Sequence, residues 1–386
     1  MVKLDGLIGL MGNEMGPLRL LVLQPTPFCN LDCKYCYLGN RSDPSKMSIS
    51  TVRQSLDVVT SSGLLGDELT IIWHSGEPLV LGTEYYRKCF EVIQDVCRTN
   101  TKIKLCFQTN GVLIDNDWCQ LFKEYNVQVG VSIDGPRYIH DQYRVNRSGA
   151  GTHVDVERGL DYLREYEIPL RTISVLTSTS LLYVDELFFY FHELGVEECG
   201  FNIEEIEGVN KRSTIIESGN VEERVYHFFK RFDYLNKIHS GGIRIRELEN
   251  VKNSILASKS NGIASEWCRT MESKELAILT IDVDGNYSTF SPELHGIVLP
   301  GIGRYVFGNV FDNPLEAISN NTNYRIVKEE VSSGIEQCRT QCEYHKLCGY
   351  GSPSNKYFEN GSMNSSFTKY CALHKQVPIE VALDTD

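Results

Sequence analysis

Three cysteines near the start of the chain, Cys29, Cys33 and Cys36 in F-C-N-L-D-C-K-Y-C-Y, constrain it most. The spacing C-x3-C-x2-C brings three thiolates into one short loop. A closed structural zinc site takes four ligands, so three fall one short. Three suit a [4Fe-4S] cluster, because clusters are held by cysteine thiolates and a missing fourth leaves one iron open to a small molecule. The loop follows the apolar run Leu20-Leu21-Val22-Leu23, which reads as a buried strand. Cysteines just past the C-terminal end of a barrel strand stand where such a fold places its chemistry. A zinc knuckle completed by a remote residue is the competing reading of the same three side chains.

The chain has 386 residues, 41% of them hydrophobic, enough for a large core and more than one domain. It has 13 cysteines but no secretory h-region and no apolar stretch able to span a bilayer. Clustered cysteines in a long, signal-free chain read as metal ligands in a reducing, cytoplasmic compartment. No membrane partner is expected. A net charge of -13 argues against nucleic acid, whose phosphates call for a basic surface.

Apolar runs at 69–73, 103–108, 127–133, 170–176 and 200–203 read as further strands. Amphipathic stretches at 52–62, 84–97, 118–125, 154–166 and 184–194 lie between them. Strand then helix, repeated about six times, implies an α/β fold with a parallel sheet curled into a partial (β/α)6 barrel. The segment 221–258 reads as helical, interrupted at Ser240-Gly241-Gly242. Beyond about 268, apolar runs flanking Asp284-Gly285 predict a hairpin, followed by a loop-rich tail with further cysteines. The expected division is an N-terminal arm at 1–16, the partial barrel at 17–235, a helical bridge at 236–267 and an α+β domain at 268–386. Only about 17 residues precede the first strand, so no separate peptide-recognition domain is expected there.

Four motifs follow successive strands: His74-Ser75-Gly76-Glu77-Pro78, Gln108-Thr109-Asn110-Gly111, Ser132-Ile133-Asp134-Gly135-Pro136 and His140-Asp141-Gln142-Tyr143-Arg144. With the three cysteines, and Tyr35 before the last of them, they resemble the radical S-adenosylmethionine (SAM) superfamily. The first resembles its G-G-E-P turn, with Ser75 in place of the first glycine. The resemblance implies that Gly76 and Glu77 meet the methionyl ammonium, that Asn110 lies beside the cofactor and that Ser132 bonds the ribose. Asp134 would line the site, and Arg144 would hold the SAM carboxylate, a task suited to its bidentate guanidinium. After the sixth strand comes Glu204-Glu205. Strand alternation points Asn202 and Glu204 to one side and Glu205 to the other. Either acid is a candidate proton acceptor or peptide contact, and solvated loop charges are the plainer reading.

In the tail, Cys338, Cys342, Cys348 and Cys371 supply four thiolates at spacings suited to one auxiliary Fe–S cluster, with zinc as the alternative. The segment resembles the SPASM/twitch extension of peptide-modifying radical SAM enzymes. Cys268 stands where such extensions begin another cluster, but the hairpin's usual second cysteine is missing, so a single auxiliary cluster is expected. Cys89, Cys97, Cys106, Cys119 and Cys199 read as small core residues.

The strings T-F-S-P-E-L, F-N-I-E-E-I-E-G and C-G-Y-G-S-P-S-N-K-Y-F-E-N-G-S resemble maturases of glycine-rich-repeat peptides (the GrrM-like group), related to cyclophane-forming enzymes. Cys348-Gly349-Tyr350-Gly351 departs from that pattern, where three glycines are expected. The resemblance implies a radical SAM maturase of a ribosomal precursor peptide. Its 5′-deoxyadenosyl radical would abstract a side-chain hydrogen, and the resulting carbon radical would join a neighbouring aromatic ring. Its implied cofactors are a SAM-binding [4Fe-4S] cluster, SAM and one auxiliary cluster. Its implied partners are the precursor peptide and a flavodoxin- or ferredoxin-type reductant. Formylglycine-type sulfatase maturation and thioether formation are the alternative activities. A non-enzymatic redox-sensing module is the alternative class.

Overall fold

Strand-forming apolar runs separated by amphipathic stretches of eight residues or more cannot close as tight hairpins, so they pair in parallel through helical crossovers. A computed structural model describes residues 15–98, 100–240, 242–260, 269–312 and 314–384. The strands are β1 (Leu18–Leu23), β2 (Leu65–Trp73), β3 (Lys102–Thr109), β4 (Gln128–Ser132), β5 (Arg171–Leu176), β6 (Glu198–Ile203) and the short β7 (Arg244–Ile245). Each pairs in parallel with the next, in chain order. Between them run α1 (Ile49–Ser61), α2 (Thr83–Val96), α3 (Asn116–Glu124), α4 (Arg137–Tyr143), α5 (His153–Glu165), α6 (Val184–Leu194) and α7 (Val221–Ile238). The parallel α/β partial barrel expected from the sequence is present.

Local chemistry sets the helix ends. The Ser48 side chain accepts from the Thr51 N–H and that of Asp115 from the Trp118 N–H, each satisfying an otherwise orphan donor. Gly195 ends α6 in the left-handed region. Between sheet and helices, Trp73, Tyr86, Phe90, Phe107, Trp118 and Phe122 form a connected aromatic cluster with offset and edge contacts. Burying these rings fixes the helices against the strands, so the loops beyond the C-terminal strand ends are carried on a rigid base.

The helical segment after β6 is α7 followed by α8 (Arg246–Ser260), and both pack against the C-terminal helix Val377–Leu383. The predicted hairpin is β8 (Ile278–Ile281) and β9 (Asn286–Thr289). The Asp282 carboxylate accepts from the Asp284 and Asn286 N–H groups at 3.0 and 2.9 Å to close its turn. The hairpin does not stand apart from the barrel: β8 pairs in parallel with β1, making one ten-stranded sheet. An open edge on β1 would leave a row of unpaired backbone groups, and β8 covers it. The loop after β9 thereby comes to lie over the barrel mouth. Among the described residues no helix is long and apolar enough to cross a membrane.

Candidate active site

The loops after the C-terminal ends of the strands converge on one cavity of about 290 Å³. Cys29, Cys33, Tyr35 and Cys36 line it from the loop after β1, Gly76 and Glu77 from the turn after β2, and Asn110 from beyond β3. Ser132, Arg144, Glu204 and Glu205 complete the predicted set around it. Asp134 lies immediately behind, nearly fully buried.

These motifs are bonded to one another. The Glu77 N–H donates to the Phe28 carbonyl at 2.7 Å, stapling the turn to the cysteine loop. The Glu77 carboxylate accepts from the Leu79 N–H, the Thr109 hydroxyl and the Asn110 N–H at 3.0, 2.7 and 2.7 Å. Its side chain therefore fixes the position of Asn110, and burial pushes its carboxyl up to about 7. On the other side, Asp134 accepts from Tyr35 Oη at 2.5 Å and from the Val175 N–H at 2.9 Å, and pairs with Arg144 Nε at 3.1 Å. Arg147 donates to the Cys29 carbonyl, and the Lys34 N–H donates to that of Tyr143. His140, fully buried, accepts from the Asp134 N–H on Nδ1, and burial lowers its pKa to about 3, so it stays neutral.

Two observations test the fit of a cluster and SAM. Cys29, Cys33 and Cys36 all border the cavity, and three thiolates with a fourth position left open are the donor set of a cluster that a small molecule can reach. Arg144 is buried, its Nε ion-paired with Asp134 at 3.1 Å but without a well-directed hydrogen bond among the described residues, and its guanidinium borders the cavity. A buried fork left in that state matches a carboxylate ligand. The residues fit both groups.

The turn at Ser75-Gly76 explains its glycine. Both residues have positive φ, 82° and 57°. A Cβ on Gly76 would lie 2.3 Å from the Phe28 carbonyl oxygen and 2.5 Å from that of Thr26. Those are backbone atoms, which cannot swing aside as a side-chain end would. Gly76→Ala is therefore expected to displace the cysteine loop and lower SAM affinity by tenfold or more, roughly the effect of 1.4 kcal/mol. Isothermal titration of the reconstituted protein measures it. Ser75→Gly relieves an unfavourable φ and is expected to leave thermal stability unchanged or raise it by up to about 1 kcal/mol.

The acids differ from the alternation reading. β6 ends at Ile203, so Glu204 and Glu205 lie beyond the pleat, and both border the cavity. Glu204 accepts from the Thr214 N–H and hydroxyl at 2.7 and 2.5 Å, and Glu205 accepts from the Asn355 side chain. Two further carboxylates, missed from the sequence, line the same cavity: Glu207 and Glu293. Glu207 Oε1 and Glu293 Oε2 are buried without a hydrogen-bond partner. Burial pushes Glu205 up to about 8 and Glu293 to about 7, and it raises Glu207 as well, with Glu205 and Glu293 reinforcing the effect. Glu293 also borders a second, more open cavity of about 770 Å³ that shares Tyr37, Leu38 and Ser75 with the first.

In the tail, Cys338 and Cys342 lie at the end of the helix Thr322–Gln341, Cys348 ends a short helix, and Cys371 opens the turn of π-helix at Cys371–Gln376. Cys348 lies within electrostatic reach of Cys342 and Cys371, and Cys371 within reach of Cys338. The four predicted ligands are thus neighbours in pairs, Cys342 with Cys348, Cys348 with Cys371 and Cys371 with Cys338. Cys268 lies outside the described residues. Cys89, Cys119 and Cys199 are fully buried as expected, while Cys97 and Cys106 are partly exposed.

Comparison with known proteins places this geometry. Residues 23–191 match the radical SAM superfamily. The chain is 37% identical over 375 residues to the uncharacterized protein sll1766 of Synechocystis sp. (strain ATCC 27184 / PCC 6803 / Kazusa), covering 96% of this chain and 92% of that protein. It is 24% identical over 372 residues to the cysteine-type anaerobic sulfatase-maturating enzyme of Clostridium perfringens (strain 13 / Type A), covering 94% and 95%. Among solved structures, native anSMEcpe with bound AdoMet and Cp18Cys peptide superposes with a TM-score of 0.75 at 22% identity, over 96% of this chain and 100% of that one. Streptococcus suis SuiB bound to precursor peptide SuiA gives 0.62 at 15% identity, over 92% and 76%. The chain belongs to the radical SAM superfamily, and its cofactors are SAM and [4Fe-4S] clusters.

Proposed function

We propose that this radical SAM enzyme is a maturase of a ribosomally made precursor peptide, and that it joins a side-chain carbon to a neighbouring aromatic ring. The observation that carries the reading is the pair Glu207 and Glu293, two buried carboxylate oxygens without partners at the inner wall of the cavity. Adding a carbon radical to an aromatic ring leaves one electron and one ring proton to be removed; an auxiliary cluster in the tail would take the electron, and a carboxylate with a raised pKa is suited to take the proton near neutral pH. The adjoining open cavity gives a peptide room to reach that wall. Peptide-bound relatives of the same fold support a peptide substrate, and the glycine-rich-repeat resemblance supports the crosslink.

Bound SAM at the reduced cluster supplies the hydrogen-abstracting radical. Cys29, Cys33 and Cys36 would hold that cluster. Arg144 would grip the SAM carboxylate, and the backbone of Ser75 and Gly76, braced by Glu77, would meet its ammonium. Asn110 and Ser132 would flank the nucleoside, while Asp134 keeps Arg144 and Tyr35 in place. Cys338, Cys342, Cys348 and Cys371 would hold an auxiliary cluster, and a flavodoxin- or ferredoxin-type protein would deliver electrons. We assign 17–235 to the barrel, 236–267 to the bridge and 268–386 to the cluster domain, after an arm at 1–16.

A second reading, oxidation of a peptide cysteine or serine to formylglycine, is favoured by the near full-length match to a sulfatase-maturating enzyme. Mass spectrometry separates the two. Reduced enzyme, SAM and the precursor peptide encoded nearby are expected to give a product lighter by two hydrogens, with fragmentation suppressed across a short motif containing an aromatic residue. A change confined to one residue, with normal fragmentation around it, establishes the second reading instead.

A further inference from the structure

Lys356, on the helix Pro353–Asn360, is only 3% exposed. Lysine is almost never buried so fully unless it is paired, because an ammonium taken from water must be compensated by a nearby anion. Among the described residues no carboxylate forms an ion pair with it. Its Nζ donates instead to the Gly334 carbonyl at 3.1 Å and to Cys338 Sγ at 3.2 Å. Gly334 and Cys338 stand one turn apart on the helix Thr322–Gln341, and a Cβ on Gly334 would come within 3.2 Å of Nζ. The ammonium also lies within electrostatic reach of Cys371. A neutral thiol is a weak acceptor and offers no charge. The arrangement makes sense when the sulfurs beside Lys356 carry the negative charge of a metal-bound thiolate set.

We propose that Lys356 is a redox-tuning residue of the auxiliary cluster, its buried ammonium donating to the Cys338 sulfur and stabilising the extra negative charge of the reduced state. Net charge and hydrogen bonds to the sulfurs are among the factors that set a cluster's potential. A fixed cation at hydrogen-bond distance raises that potential and makes the cluster a better electron acceptor. The proposal rests on the assignment of Cys338, Cys342, Cys348 and Cys371 to an Fe–S cluster.

The test uses full-length protein reconstituted anaerobically, with Cys29, Cys33 and Cys36 replaced by alanine so that only the auxiliary cluster contributes to the spectrum. Iron analysis and Mössbauer spectra first establish that cluster; zinc, or no iron, overturns the underlying assignment. With the cluster in place, EPR-monitored redox titration compares Lys356→Met and Lys356→Arg with the parent. The methionine variant is expected to shift the midpoint to a more negative potential, and the arginine variant to stay near the parent. An unshifted midpoint in a loaded Lys356→Met protein overturns the tuning role. Should that variant fail to load, the parent labelled with 15N-lysine decides the matter, in a Lys375→Arg background because Lys375 lies within electrostatic reach of Cys348. Hyperfine coupling between the reduced cluster and a lysine nitrogen is expected, and its absence refutes the contact.

Discussion

Replacing Cys29, Cys33 and Cys36 together with alanine is expected to abolish 5′-deoxyadenosine formation and to leave about four of about eight irons per chain. The two halves of this result have separate causes. The loop after β1 supplies the three thiolates bordering the cavity, together with Arg144 and the turn that Glu77 braces. Without them no reduced cluster stands beside SAM, so the loss is complete. The tail ligands belong to other elements, on the helix Thr322–Gln341, the short helix ending at Cys348 and the turn at Cys371, and none lines that cavity. Their iron should therefore persist. SAM cleavage at the parental rate in the triple variant would overturn the assignment of this loop. Twelve irons in the parent, or four irons and one zinc, would overturn the single auxiliary cluster.

The barrel was legible because its information is local. Apolar runs alternating with amphipathic stretches locate β1 to β6 to within a few residues, and Asp284-Gly285 marks the turn of the hairpin. The motifs at the strand ends were legible for the same reason: each lies in a short segment whose place follows from the strand before it. What the sequence hid was long-range. Nothing in the segment 278–281 announces that it would pair with β1 and carry Glu293 to the barrel mouth. Strand alternation does not extend past Ile203, where the chain leaves the sheet, so it misassigned Glu205 to the far side. Nothing local marks Lys356 out until the helix carrying it is packed against Gly334 and Cys338. The departures from the glycine pattern are informative as well. Ser75 and Tyr350 both adopt positive φ, 82° and 81°, where the resembled families have glycine. Side chains are rare in that conformation, which explains the family preference.

Glu207→Gln is expected to slow product formation by about a hundredfold or more, the usual worth of a positioned general base, while 5′-deoxyadenosine still forms. Glutamine keeps the shape of the side chain and can still bond Ser354, the partner Glu207 has there. It cannot accept a proton, so the effect isolates that function. Glu204 and Glu205 serve as comparisons because both are already bonded within the protein, to Thr214 and Asn355. Glu204→Gln should therefore cost product formation far less than Glu207→Gln does. Glu293→Gln should also slow the reaction, since Glu293 shares the wall and its Oε2 has no partner. The pH dependence carries the sign. A carboxylate acts as a base only after losing its proton, and burial sets Glu293 at about 7, with Glu207 raised above its ordinary value. Product formation in the parent should rise with pH through that region and flatten in the double Glu207→Gln, Glu293→Gln variant. Single-turnover assays at several pH values, with 5′-deoxyadenosine and peptide product both quantified, measure the ratio directly. Should the double variant form product at the parental rate and with the parental profile, these carboxylates do not take the ring proton. The loss of product with retained SAM cleavage would instead place the proton acceptor among Glu207, on the loop after β6, and Glu293, on the loop after β9.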